Sequence, residues 1–156
     1  MIKLDPSIYF NQINVLYQQT YFSQIKGSLH ITENSHLWGI MYRDQLIAYI
    51  HIERLQNTNF GLLQALIVDK AHQSQHYAEQ LLNHAHKTLT AFNINHLYCL
   101  TKYGANYLAC HGYAQVIESQ LPKALKDTLK QNHENILMHI SIKTHIQNIQ
   151  PRHVAA

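Results

Sequence analysis

The segment FGLLQALIVDKAHQSQHYAEQLL, residues 60–82, decides the fold that we expect for this chain. It opens with the apolar run Phe60–Val68, which is typical of a buried strand. A polar loop follows, and apolar residues then recur at helical spacing, which predicts an amphipathic helix over residues 77–92. A helix that begins just after a strand presents unpaired amides and the positive end of its dipole, so this junction suits a phosphate or pyrophosphate. A plain strand–loop–helix crossover is the alternative.

The residues before this segment predict one helix and two further strands. Pro6 suits the first turn of a helix. The apolar stripe expected on that helix consists of Ile8, Ile13, Leu16 and Tyr17. Residues 37–42 and 46–55 are rich in β-branched and aromatic side chains around a turn at 43–45, so they predict a strand–turn–strand unit. These two strands and the strand at 60–68 are expected to form an antiparallel sheet.

The residues after the segment predict alternating strands and short helices. Strands are expected at 96–100, 113–117 and 136–142, and helices at 103–111 and 121–130. The element order predicts an α+β or three-layer α/β/α domain over residues 1–143. Residues 144–156 lose periodicity, and we expect them to form a flexible tail.

Composition favours a single cytoplasmic domain. The chain has 156 residues, of which 46% are hydrophobic, and this excludes a disordered chain. No apolar run approaches the roughly 18 residues that a membrane span needs, and no signal peptide is apparent at the N-terminus. Cys99 and Cys110 lie in apolar patterns, so we expect both to be reduced and buried.

The charge pattern argues against nucleic acid and metal ions as partners. Twelve basic residues against nine acidic ones give a net charge of +3, without a basic run of the kind that follows a phosphate backbone. The 13 histidines are unusual, but none is joined by a cysteine at metal-ligand spacing. His84 and His86 are two residues apart and do not face each other on a helix. We therefore expect no metal, with a histidine-rich metal-binding module as a remote alternative.

The strand–loop–helix segment resembles the acetyl-CoA site of the GNAT superfamily of acyl-CoA N-acyltransferases. Members carry a strand ending in Val, a loop of the form Gln/Arg-x-x-Gly-x-Gly/Ala, and a helix with paired leucines. Val68, the sequence QSQHYA at 73–78, and the pair Leu81 and Leu82 occupy those places. Gly112 and Tyr113 resemble the Gly–aromatic pair that follows the family's next strand and helix. The chain is also similar to small bacterial acetyltransferases of the arsenic-resistance-associated type.

The resemblance implies a mixed, mostly antiparallel sheet with a splayed parallel strand pair at the cofactor cleft. It implies acetyl-CoA as co-substrate, a small-molecule amine as acceptor, and stabilisation of the oxyanion by a backbone N–H near Ile67 or Val68. The residues that it assigns to coenzyme binding are Leu66, Ile67, Val68, Gln73, Ser74, Gln75, His76, Tyr77, Ala78, Thr101 and Tyr107. The sheet edges leave room for a homodimer.

The loop departs from the family pattern where glycine is usual. His76 stands at the first motif glycine and Ser74 follows Gln73 where many members have glycine, although glycine lets a pyrophosphate approach the backbone closely. Gln73 supplies no charge where many members use arginine. One hypothesis is that protonated His76 replaces part of that charge. It predicts that His76→Ala weakens coenzyme A binding more at pH 6 than at pH 8.

The catalytic residues implied by the resemblance also differ from the family pattern. Leu108 stands where many members carry a general-acid tyrosine, so the neighbouring Tyr107 is the candidate for protonating or contacting the coenzyme. Leu62 stands where several members carry a glutamate base, which leaves Gln64 and, on the preceding strand, Glu53 as candidates.

Two classes of function remain open at this level. The first is an N-acetyltransferase that moves an acetyl group from acetyl-CoA to a primary amine by direct attack. The second is a catalytically weak GNAT-fold protein that senses coenzyme A or binds a regulatory partner. The altered loop and the missing tyrosine favour the second class more than they would in an average member.

Overall fold

The structure, a computed structural model, describes residues 1–21, 30–127, 129 and 135–142. In this part of the chain, seven strands form one sheet in the order β1-β2-β3-β4-β5-β7-β6. The strands are β1 (Ile2–Lys3), β2 (Ser35–Tyr42), β3 (Gln45–Arg54), β4 (Phe60–Val68), β5 (His96–Thr101), β6 (Ala114–Gln115) and β7 (Ile136–Ser141). The helices are α1 (Pro6–Tyr21), α2 (Tyr77–Thr88), α3 (Ala105–Cys110) and α4 (Lys123–Lys126).

The sheet is antiparallel except at one pair. Strand β4 runs parallel to β5, and the other neighbouring strands pair antiparallel. This confirms the mostly antiparallel sheet with one parallel pair that the sequence resemblance implies. The strand β1, which is only two residues long, has no sequence signal of its own and was not predicted.

Helices cover both faces of the sheet and make it the middle layer of three. The cluster on one face joins Ile50 and Ile52 of β3 to Leu81 and Leu82 of α2. On the other face, α1 packs on Tyr49 and its neighbours, and α4 packs through Leu125 on β4, β5 and β7. The adjacent residues Leu97 and Tyr98 belong to clusters on opposite faces, as strand alternation requires.

Helix α1 begins at Pro6, as the sequence predicts. The Asp5 carboxylate caps it by accepting hydrogen bonds from the backbone N–H of Ser7 at 2.9 Å and from its hydroxyl at 2.7 Å. These two bonds lower the pKa of Asp5. The expected stripe is correct for Ile13 and Leu16, which are buried, but wrong for Ile8, which is 69% exposed. Ile8 is five residues from Ile13, which places it about 140° away around the helix.

Several elements are shorter than predicted. The helix expected at 77–92 is α-helical to Thr88 and continues as a 3₁₀ turn, Leu89–Phe92. Asn93 ends it in the left-handed conformation, with φ of 59°. The strand expected at 113–117 is reduced to β6, and the helix expected at 103–111 to α3.

The predictions for the last helix, the C-terminal tail and the two cysteines are only partly tested or partly correct. The helix expected at 121–130 is reduced to α4, although residues 128 and 130 lie outside the described part. The tail at 144–156 lies wholly outside it. Cys99 is half-buried rather than fully buried as predicted, and the prediction is wrong for Cys110, which is exposed at the end of the short helix α3. Within the described residues, no helix is long and apolar enough to cross a bilayer.

Candidate active site

The loop between β4 and α2 folds back over the end of β4. Strand β4 stays paired with β3 up to Val68, which lies opposite Ala48. A short 3₁₀ turn, Lys70–His72, follows and is closed by the Asp69 carboxylate, which lies 3.0 Å from Nδ1 of His72. The Gln73 side chain then donates a hydrogen bond of 3.3 Å back to the carbonyl of Val68. This bond folds the loop over the end of the strand.

Two loop residues adopt the left-handed backbone conformation that favours glycine. Ser74 has φ of 65° and His76 has φ of 63°. These are the two positions at which the sequence departs from the family's glycines. The loop therefore keeps a glycine-like backbone without glycine, at a cost of about 1–2 kcal/mol for each non-glycine residue.

The N-terminus of α2 lacks a side-chain cap. His76 is the N-cap residue and makes no capping hydrogen bond. The first intrahelical bond runs from the N–H of Gln80 to the carbonyl of His76 at 3.0 Å. The amides of residues 77–79 precede that bond and have no acceptor within the helix. They are available to an anion, and the helix dipole favours one there.

Strands β4 and β5 separate next to this helix end. They pair only at Phe60 with His96, Gly61 with Leu97 and Leu62 with Tyr98. From Leu63 to Val68 the edge of β4 facing β5 makes no ladder with it. A parallel pair that opens in this way exposes backbone N–H and C=O groups on the inner edge of β4.

A cleft of about 620 Å³ lies where the loop, the helix end and the open strand meet. Its lining residues are Leu66, Val68, His72, Gln73, Ser74, His76, Tyr77, Ala78, Glu79 and Tyr107. Eight of these belong to the set that the resemblance assigns to the coenzyme. The structure thus brings together the strand end, the loop, the first helical turn and Tyr107 from α3.

Three residues of the predicted coenzyme set lie away from the cleft. Ile67 is buried on the opposite face with the α1 cluster, as alternation with Leu66 and Val68 requires. Gln75 is exposed and outside the lining. The hydroxyl of Thr101 accepts a hydrogen bond of 2.8 Å from the N–H of Gly104, which holds the turn into α3.

The cleft also contains two ionisable residues that the sequence reasoning did not assign to it, His72 and Glu79. Glu79 occupies the third position of α2, and its carboxylate lies 3.2 Å from Nδ1 of His76. A carboxylate three residues after the N-cap has the spacing of a capping box, whose sequence signal is S/T-x-x-E. Here the N-cap residue is His76, so the sequence lacks this signal and Glu79 was not identified from it. Glu79 places a negative charge beside amides that would otherwise receive an anion.

Tyr107 is the titratable residue of α3 that faces the cleft. Burial, followed by the negative charge of Glu79, raises the pKa of Tyr107. The phenol is therefore neutral at pH 7 and retains its proton as a hydrogen-bond donor. Its ring also contacts the ring of His111, with centroids 4.5 Å apart.

The other two predicted catalytic residues, Gln64 and Glu53, lie outside the cleft lining. Gln64 lies at a bulge, since His51 pairs with Ala65 and the next residue of β3, Ile52, pairs with Leu63. The bulge leaves Gln64 unpaired and exposed. Glu53 lies opposite Leu62 and alternates with Ile52 of the α2-side cluster, so it projects from the face that carries α1 and α4.

Glu53 belongs to a polar cluster on that face, formed by Thr32, Ser35, His51 and Glu53. The hydroxyl of Thr32 donates to one carboxylate oxygen at 2.9 Å, and that of Ser35 to the other at 3.3 Å. His51 is 2% exposed, with Nε2 at 3.0 Å from the Ser35 hydroxyl. Burial lowers the pKa of His51 to about 4, although Glu53 opposes this shift. The imidazole is therefore neutral at pH 7.

The histidines of the described residues do not form a metal centre. Within that part of the chain, no three side chains of the types His, Cys, Asp and Glu are placed so that they could hold a metal ion. His96 and His139 approach each other, with Nδ1 and Nε2 3.0 Å apart, but they have no third ligand there.

Comparison with known proteins agrees with this geometry. The family model described as acetyltransferase (GNAT) family matches residues 4–116, which is well over half of the chain. No curated protein matches the chain by sequence at a significant level.

Solved structures share the fold at low sequence identity. N-acetylglutamate synthase from Neisseria gonorrhoeae, in complex with coenzyme A and N-acetyl-glutamate, matches 86% of this chain with a TM-score of 0.71 and 17% identity. This chain spans only 33% of that enzyme. A GNAT-family acetyltransferase from Staphylococcus aureus Mu50 matches with a TM-score of 0.71 and 17% identity, covering 90% of this chain and 97% of its own.

A third structure is similar over nearly the whole of both chains. It is the aminoglycoside 6'-N-acetyltransferase from Enterococcus faecium, with a TM-score of 0.71 and 15% identity over 91% of this chain and 97% of its own. At such identities the likeness concerns the fold. The match of the family model, together with the sheet that opens between β4 and β5, establishes that this chain belongs to the GNAT family of acetyltransferases.

Proposed function

We propose that the protein is an N-acetyltransferase that moves an acetyl group from acetyl-CoA to the primary amine of a small molecule. The observation that supports this most strongly is the uncapped N-terminus of α2, which opens onto a cleft beside the separated strands β4 and β5. Such a helix end binds phosphate groups through free amides and its dipole. Separated strands offer backbone partners to an extended amide chain such as pantetheine.

Most residues of the cleft suit the chemistry of the coenzyme. The left-handed Ser74 and His76 would turn the loop amides toward the diphosphate, and the amides of residues 77–79 would complete that site. Leu66, Val68 and Tyr107 would contact the pantetheine arm. Glu79 opposes the fit, because its carboxylate adds a like charge beside the diphosphate.

The reaction we propose is direct attack without a covalent enzyme intermediate. The neutral amine forms the new N–C bond at the thioester carbonyl, the C–S bond breaks, and the coenzyme leaves as a thiolate. A backbone N–H near Ile67 or Val68 would stabilise the developing oxyanion, a contact typically worth about 2.7–4 kcal/mol. Tyr107, whose phenol stays protonated at pH 7, would donate its hydrogen to the departing sulfur.

The attacking amine loses a proton, and a base or water on the side of the sheet where the amine binds has to take it. Gln64 carries no charge and would orient the amine through its side-chain oxygen rather than remove a proton. Water would carry the proton away, and Glu53, on the α1 face, takes no direct part in this proton transfer. A missing general base slows such a reaction by roughly 10²–10⁴-fold without abolishing it.

A second candidate is a coenzyme A sensor or regulatory partner-binding protein of low catalytic activity. Glu79 in the cleft is the observation that favours it, because weaker diphosphate binding suits a protein that responds to changes in coenzyme concentration. The absence of a tyrosine at Leu108 is consistent with low turnover.

Two measurements separate these candidates. Thermal shift with acetyl-CoA reports binding, since a ligand at 100 times its Kd stabilises a protein by about 2.7 kcal/mol. Release of free thiol in the presence of a panel of amines then reports transfer. Binding with thiol release supports the enzyme, and binding without release supports the sensor. If neither acetyl-CoA nor coenzyme A shifts the melting temperature, the transferase and the coenzyme sensor are both wrong, and only the regulatory partner-binding role remains.

A further inference from the structure

The polar cluster on the α1 face is preorganised around one carboxylate. Ser35 Oγ accepts a hydrogen bond from the backbone N–H of Thr32 at 3.0 Å and donates its only proton to Glu53. Nε2 of His51 must therefore donate to Ser35, which fixes the imidazole tautomer with its proton on Nε2. The cluster holds both oxygens of Glu53 in place through hydroxyl groups.

Glu53 has no cationic partner among the described residues. Its ionic contact within 4.0 Å is with His51 Nε2 at 3.8 Å, and that imidazole is neutral at pH 7. The following residue, Arg54, directs its guanidinium to the carbonyl of Thr58 at 3.1 Å. The side chain of Glu53 is 23% exposed, so its charge is partly shielded from water, and no described residue neutralises it. A carboxylate in this state attracts a cation from solution.

Glu53 also lies where the sheet begins to open. It pairs with Leu62, and Leu62 is the last residue of β4 that pairs with β5. The coenzyme cleft lies against α2 and α3, whereas Glu53 projects from the opposite face. The bulge residue Gln64 lies two positions along β4 and is exposed. A molecule on the α1 face at this level would reach the opening between β4 and β5 from the side opposite to the loop.

We infer that Glu53 binds a second positive charge of the acceptor, and that His51 is a positioning residue acting through Ser35. This inference rests on the proposed acetyl transfer. It names the acceptor class as a small molecule with a cationic group in addition to the amine that is acetylated. His51 does not touch the acceptor. It donates to Ser35, so that the Ser35 proton points to the carboxylate.

The test compares two amines with the same four-carbon chain, 1,4-diaminobutane and n-butylamine, on the full chain. For the wild type we expect a lower KM for the diamine. Loss of a charge-assisted hydrogen bond in Glu53→Gln should raise the KM for the diamine by about tenfold or more, and that for butylamine by less than about twofold. Asp44→Asn removes the same charge from an exposed turn and should change neither value. Equal effects of Glu53→Gln on both amines, or no effect, would overturn the inference.

The role of His51 has its own test. His51→Gln keeps an N–H donor for Ser35, whereas His51→Leu removes it. We expect the leucine variant to lose the preference for the diamine and the glutamine variant to retain it, while acetyl-CoA shifts the melting temperature of both as it does for the wild type. If both variants lose the preference equally, or neither does, His51 is not a positioning residue for Glu53.

A binding measurement separates failure of this inference from failure of the proposed function. Calorimetric titration of 1,4-diaminobutane into wild-type protein and Glu53→Gln needs no turnover. If no amine yields free thiol but the wild type binds the diamine at least about tenfold more tightly than the variant, the transferase proposal fails and the cation site stands. If thiol is released but the two proteins bind the diamine equally, the transferase stands and the cation site fails.

Discussion

The two sides of the candidate site are built in different ways. On the α2 side, the loop at residues 73–76 and the end of α2 offer backbone amides, with two left-handed residues and exposed side chains. On the α1 side, the polar cluster offers side chains of strands β2 and β3 and of Thr32 just before β2, linked by hydrogen bonds around the buried His51. A coenzyme shared by a family suits a backbone site, whereas a particular acceptor requires particular side chains.

This difference predicts which substitutions each side tolerates. The backbone site should bind the coenzyme with most side chains, provided that they leave the amides accessible. It should lose binding when a bulky or negatively charged side chain occupies the space in front of those amides. The side-chain site should depend on the identity of each member, and on pH through its buried imidazole.

The largest effect is expected where a bulky charge enters the backbone site. Ala78→Glu places a carboxylate above the amides at the start of α2, so acetyl-CoA binding should weaken by about 100-fold or more through like-charge repulsion and loss of space. Calorimetric titration with acetyl-CoA measures this. Gln80→Glu, which adds the same charge at an exposed position of the same helix, is the control. Similar losses in both variants would mean that the helix end does not hold the diphosphate.

The next effect concerns the pH dependence of stability on the α1 side. Burial lowers the pKa of His51 to about 4, so between pH 6.5 and pH 4 the unfolded chain binds a proton that the folded protein rejects. Stability is thus retained above pH 6.5 and falls as the pH decreases through this window. From pH 7 to pH 5 the contribution of His51 amounts to about 2 kcal/mol.

The measurement is urea unfolding of the wild type and His51→Leu at both pH values. The variant should lose about 2 kcal/mol less than the wild type between them, whatever its absolute stability. Parallel losses in the two proteins would show that His51 is not held neutral by the fold.

A smaller effect is expected from removing the negative charge on the α2 side. Glu79→Gln should tighten acetyl-CoA binding by about fivefold at low salt, because the repulsion between two well-hydrated charges about 4 Å apart is about 1 kcal/mol. The gain should shrink as the salt concentration rises. Glu33→Gln, at an exposed site before β2, should leave the affinity unchanged. Weaker binding by Glu79→Gln would mean that the carboxylate supports the coenzyme instead of opposing it.

The smallest effect concerns the two left-handed residues. Glycine adopts their conformation without strain, so Ser74→Gly and His76→Gly should leave stability within about 1 kcal/mol of the wild type, with relief of strain offset by the entropy of the unfolded chain. Alanine keeps the strain, so thermal unfolding of Ser74→Ala should show no gain. If both glycine variants are strongly destabilised, the loop does not have the left-handed backbone described here.

The sequence predicts the α2 side better than the α1 side. The apolar run of β4 and the leucine pair of α2 fix the strand–loop–helix crossover through local pattern alone, and the family motif then locates the loop. The left-handed conformations of Ser74 and His76 carry no sequence signal of their own, because serine and histidine rarely adopt them. The family's glycines at these positions indicated a close approach of the pyrophosphate to the backbone, and they did not predict a left-handed conformation.

The polar cluster could not be predicted, because its contacts join distant residues. Ser35 lies 16 residues from His51 and 18 from Glu53, and Thr32 lies 21 from Glu53. Which of these residues come into contact depends on the register between β2 and β3, and that register includes an irregularity between Ile40 and Met41. Alternation along β3 suggested that His51 and Glu53 share a face, but not that a serine would join them. The exposure of Gln64 also depends on strand pairing, because it results from a bulge that no local sequence pattern predicts.

A crystal structure of the protein with acetyl-CoA would show whether the loop and the end of α2 bind the diphosphate. We expect the diphosphate within hydrogen-bond distance of the amides at residues 74–79 and the thioester carbonyl at the opening between β4 and β5. A coenzyme on another surface, or an end of α2 covered by the side chains of His76 and Glu79 at saturating ligand, would contradict this binding mode.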